Sequence, residues 1–65
     1  MRLVLRNVRT GKVLDTVTVG ALGAVVYETG EAKPIVEQVG RTTGVKGAML
    51  GKALAGWSNG YLALA

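Results

Sequence analysis

Glycine occurs ten times in this 65-residue chain, which contains no histidine, cysteine or phenylalanine. Eight of the glycines (Gly11, Gly20, Gly23, Gly30, Gly40, Gly44, Gly56 and Gly60) fall where the apolar pattern breaks. They read as turn punctuation between short elements. The other two, Gly47 and Gly51, fall inside a helical pattern, where a glycine costs roughly 1 kcal/mol relative to alanine. Their presence one turn apart implies a compensating close approach by another backbone.

The segments between the glycines define the fold class. Residues 2–9 and 12–19 alternate and are rich in branched apolar side chains, the signature of strands. A three-residue loop with Gly11 in the left-handed position places Leu3 opposite Val17 and Asn7 opposite Val13. Leu3, Leu5, Val13, Val17 and Val19 then share a buried face, with Arg2, Arg6, Thr16 and Thr18 on the other. Residues 24–28 give a third strand. Pro34 suits the first turn of a helix carrying Ile35, Val36 and Val39 on its apolar side and ending near Gly40. A second helix is expected over 45–56, and 61–64 is a candidate for a last strand. The chain is thus expected to be one α+β domain: a three-stranded antiparallel meander, two short helices, and that C-terminal strand.

Composition narrows the function. A domain of this size is marginal, and small scaffolds are usually stabilised by disulfides, a metal or a partner. Without cysteine or histidine the first is excluded and a zinc site is improbable. The four acids (Asp15, Glu28, Glu31, Glu37) lack calcium-loop spacing. With 49% hydrophobic residues, burial against a partner is the expected stabiliser. Neither a metal nor a cofactor is expected. Residues 47–53, GAMLGKA, fall short of a phosphate-binding loop, because the glycines are one residue too close and Ala53 replaces the hydroxyl. Ser58 has no histidine to activate it, so the chain is expected not to be an enzyme. No apolar stretch is long enough to span a membrane, and the N-terminus is unlike a signal peptide. Synthesis in a cytoplasm follows.

Two binding surfaces are candidates. Leu50, Leu54 and Trp57 form an apolar ridge beside the small strip of Gly47, Gly51 and Ala55. The strip suits packing on its own sheet or against another subunit. Gly47, Leu50, Gly51, Leu54, Trp57 and Tyr61 are therefore the candidate protein interface. The alternative is a nucleic-acid interface made by Arg2, Arg6, Arg9 and Lys12 on the first hairpin, in a chain of net charge +4.

NVRTGKV at 7–13, VYETG at 26–30 and GWSNGYL at 56–62 resemble short, uncharacterised proteins of tailed bacteriophages, especially those of actinobacteria. The second helix departs from that pattern in its greater glycine and alanine content. The resemblance carries no activity to transfer. It implies a phage product located in the virion, such as a capsid decoration or minor head or tail component. Such a protein acts by repetitive contacts with copies of itself or a larger structural protein. The alternative is a small nucleic-acid-binding or host-directed regulator.

Overall fold

The computed structural model describes residues 1–65. It contains β1 (Arg2–Asn7), β2 (Val13–Val19), β3 (Val25–Tyr27), α1 (Lys33–Thr43), α2 (Ala48–Leu54) and β4 (Leu62–Leu64). The strands form one antiparallel sheet in the order β3-β2-β1-β4. The fold is therefore α+β, with the expected meander and with the C-terminal strand added beside β1.

Alternation on β1 and β2 sends Leu3, Leu5, Val17 and Val19 to one face, where they meet Ala32, Val36 and Val39 around α1, Leu54 of α2 and Leu64 of β4. Leu3 lies opposite Val17, as expected, but the hairpin differs nearer its tip. The Asn7 N–H donates to Lys12 C=O at 2.9 Å, so the loop spans residues 8–11 and has four residues where three were expected. Gly11 is left-handed at φ 75°. A bulge restores the register, so Val13 opposes Arg6, not Asn7. Val13 is consequently 49% exposed, while Asp15, opposite Leu5, is only 2% exposed.

Both ends of the sheet are tied by pairing. Met1 and Val19 exchange bonds of 2.7 Å, and Val4 and Ala65 pair at 2.8 and 3.2 Å. The outer side of β4 is also covered, since Asn59 N–H donates to Leu62 C=O and Leu64 N–H to Trp57 C=O. The two sheet edges thus differ, with only the β4 edge sealed by the chain itself.

The helices depart from expectation at their ends. Gly40 does not stop α1, which runs to Thr43 and closes on Gly44 at φ 68°, whose N–H donates to Gly40 C=O. Helix α2 is shorter than 45–56. It starts after Gly47, whose φ of 63° and ψ of −142° are not helical, and ends at the extended Ala55. Of the two glycines expected inside the helix, only Gly51 is.

Candidate functional site

The helices cover one face of the sheet, and the opposite face is open. On that face Arg2, Thr18 and Val26 stand side by side across β1, β2 and β3. Val4 and Thr16 form the next row, and Arg6 stands beside Ala63 of β4. A shallow depression of about 340 Å³ is lined by Arg2, Thr16, Thr18, Val26, Tyr27 and Glu28. Val26, one of these residues, is 65% exposed. The surface is apolar and hydroxyl-bearing, with two arginines along β1 and one acid at its rim.

The basic strand continues into a tip shaped by two asparagines. Asn7 Oδ1 accepts from the N–H groups of Arg9 at 2.9 Å and Thr10 at 3.1 Å. Asn59 Oδ1 accepts in the same way from Tyr61 at 2.9 Å and Leu62 at 2.8 Å. Each is a side-chain mimic of a backbone turn. Pairing of β1 with β4 sets these turns side by side, with Val8 N–H donating to Tyr61 C=O at 2.9 Å. The Arg9 guanidinium therefore lies over the Tyr61 ring, 4.6 Å from its centroid. The four basic residues Arg2, Arg6, Arg9 and Lys12 form one series along β1 and its turn, joined at the tip by an aromatic ring. That ring belongs to an element remote in sequence, and no local pattern announces the contact.

The six candidate interface residues do not gather into one surface. Leu54 is fully buried and contacts only its own chain, because it fills the core between α2 and the sheet. Gly51 is buried beneath Met1: a Cβ there would lie 2.9 Å from Met1 Sδ and 3.5 Å from its Cβ. Gly47 lies against the turn before β3, where a Cβ at Gly23 would stand 2.9 Å from its Cα and N. Leu50 is half-buried and packs on the core. Trp57 is half-buried in a groove of about 480 Å³ with Gln38, Thr42, Thr43 and Ala53. Tyr61 alone of the six is largely exposed, at the basic tip.

Of the small strip, Gly51 packs internally against Met1, Gly47 lies outside the helix and Ala55 is exposed beyond its end, which gives a measurable consequence at Gly51. Met1 is more than half exposed and its thioether can swing aside. Gly51→Ala should be close to neutral, because a helix-propensity gain of about 1 kcal/mol offsets the displaced side chain. Gly51→Leu should cost about 1–3 kcal/mol by overpacking. Urea denaturation followed by the single Trp57 would read both. A neutral leucine variant would show that Gly51 is not closely packed.

The buried Asp15 was not singled out from the sequence. Its Oδ1 accepts from the N–H groups of Thr16, Glu28 and Thr29 at 2.8, 3.0 and 2.8 Å, and its Oδ2 accepts from Ala32 at 2.9 Å. Burial by itself would raise its pKa, but hydrogen bonds from Thr29, Ala32 and Thr16 outweigh it and hold the carboxyl below its ordinary 3.8. An ionised carboxylate surrounded by its own chain's donors organises the link from β3 into α1. Nearby, burial first and then the charges of Glu37 and Asp15 push the Tyr27 phenol above its ordinary value of 10.0. No three acidic side chains converge in a way that could hold a metal ion. No helix is long and apolar enough to cross a membrane.

In comparisons with known proteins, no family model matches the chain, and neither a curated protein nor a solved structure does so.

Proposed function

We propose that the chain is a non-enzymatic structural component of a phage particle, a capsid decoration or minor head or tail protein, acting through repeated contacts with protein surfaces. The observation that carries this reading is the open sheet face. Val4, Val26, Ala63, Thr16 and Thr18 lie on it beside Arg2 and Arg6, while only 11 of 65 residues are buried. A domain with so small an interior gains most from covering such a face. The virion context is supported by the sequence resemblance at 7–13, 26–30 and 56–62. Within this reading, Trp57 and Tyr61 remain the aromatic contacts available to a partner.

A second reading, nucleic-acid binding, is favoured by one contact. Arg9 stacked on the exposed Tyr61, in series with Arg2, Arg6 and Lys12, offers phosphate-binding cations next to a ring on which a base could stack.

One experiment separates the readings. Particles produced from the genome encoding the chain should carry it in many copies after gradient purification, as counted by mass spectrometry. The association should survive raised salt, because it buries apolar surface. Absence from intact particles would sink the particle reading. Binding to single-stranded oligonucleotides that collapses steeply as salt rises would instead establish the phosphate-binding one.

A further inference from the structure

We infer that β3 is a homotypic docking edge, pairing antiparallel with β3 of a second copy about a two-fold axis at Val26. The inference does not depend on the particle reading. It starts from which backbone groups of β3 are already used. Gly20 N–H donates to Ala24 C=O at 2.7 Å, and Glu28 N–H donates to Thr16 C=O at 3.0 Å. With Thr18 opposite Val26, these bonds fix the alternation of the ladder: Ala24, Val26 and Glu28 point their backbone groups toward β2. Val25 and Tyr27 must therefore point theirs away from the sheet. Neither residue takes part in any turn, loop or side-chain hydrogen bond.

An open strand edge is a template for another strand, and proteins usually blunt it with lysine, proline, a bulge or a covering segment. The β4 edge is covered by residues 56–59. The β3 edge, Val25-Val26-Tyr27, has no lysine, proline or bulge, and all three residues favour strands. Its shortness is its only protection, and it makes the pairing weak and concentration-dependent.

The occupant follows from self-complementarity. In the register with Val26 facing its own mate, Val25 N–H meets the mate's Tyr27 C=O, and Tyr27 N–H meets the mate's Val25 C=O. The symmetric half repeats this, so every outward group of both edges is satisfied. Shifting the register by two residues in either direction would require Gly23 or Thr29 to donate outward. Their N–H groups are already held by Gly20 C=O and by Asp15 Oδ1. On the open face the two Val26 side chains meet across a non-hydrogen-bonded pair, the closer type of cross-strand pair. Glu28 falls opposite Ala24 of the mate, so no like charges oppose. The two open faces join into one continuous surface.

The chain has no cysteine, which makes a cross-linking test clean. Val26→Cys should form a disulfide-linked dimer under mild oxidation at least about tenfold faster than Leu22→Cys, because a non-hydrogen-bonded antiparallel pair lies within disulfide reach. Leu22 is 95% exposed but far from the axis in this register. Sedimentation equilibrium of the unmodified chain, from low micromolar to about 1 mM, should show a monomer–dimer equilibrium. Val26→Lys should remove it with the circular dichroism spectrum unchanged, since Val26 is 65% exposed. Equal cross-linking rates at positions 22 and 26, a monomer throughout the concentration range, or undiminished association of the lysine variant would each overturn the inference.

Discussion

Asp15→Ala is expected to remove about 2–6 kcal/mol at neutral pH, a large share of the fold's stability. The carboxylate accepts from four backbone N–H groups, on Thr16, Glu28, Thr29 and Ala32, and is 2% exposed. Removing it leaves the N–H groups of Thr16, Thr29 and Ala32 without this acceptor where the chain turns from β3 into α1, while Glu28 N–H keeps Thr16 C=O at 3.0 Å. Each buried group left unsatisfied costs about 1–3 kcal/mol, so two that find no water cost about 2–6 kcal/mol. A domain of this length has a total stability of roughly 3–10 kcal/mol. Asp15→Asn should lie between the alanine variant and the parent. It keeps an oxygen for three donors but turns an NH2 group toward Ala32 N–H.

The same residue predicts a pH dependence of definite sign. Its folded pKa is below the ordinary 3.8, so the folded state favours the ionised form. The stability this confers is present in full above the ordinary carboxylate range. It is lost as pH falls from there through the depressed folded value. Urea midpoints measured against pH by Trp57 fluorescence should fall more steeply below pH 3.8 in the parent than in Asp15→Asn. Glu28, Glu31 and Glu37 are common to both proteins and cancel in the comparison. Parallel curves would mean that the hydrogen bonds to Asp15 do not stabilise the fold.

Local pattern and tertiary contact divide what could be read beforehand. Alternation places Leu3, Leu5, Val17 and Val19 on one face, and Gly11 marks the turn, because both depend on neighbours in sequence. The same alternation puts position 15 on the buried face, so the aspartate in KVLDTVTV is legible as a buried acid awaiting donors. What no local rule supplies is the donors themselves, which come from residues 28–32 across the fold. The joining of Arg9 to Tyr61 is illegible for the same reason: it follows from pairing of β1 with β4, at opposite ends of the chain. Gly47 is a sharper case. Its spacing from Gly51 suggested a helical strip, but the residue is there for a conformation that other side chains resist and for a contact with a distant turn.

That contact makes Gly23→Ala the second severe substitution. Gly20 N–H pairs with Ala24 C=O, closing a loop in which Gly23 takes φ +89°. A side chain in left-handed backbone costs about 1–2 kcal/mol by itself. A Cβ at position 23 would also stand 2.9 Å from both the Cα and the N of Gly47, which are backbone atoms at the entrance to α2. No rotamer change relieves that overlap, so overpacking adds about 1–3 kcal/mol. The appropriate reference is Gly11→Ala, where φ is +75° but nothing lies within 4 Å of the added carbon. The reference variant should show only the backbone cost, and the excess in Gly23→Ala measures the contact. Equal urea midpoints for the two variants would show that the 20–23 turn does not rest on Gly47. Because that turn leads directly into β3, combining Gly23→Ala with Val26→Cys should also slow the disulfide cross-linking, under conditions where the double variant remains folded. Gly11→Ala, at the other hairpin, should leave that rate unchanged.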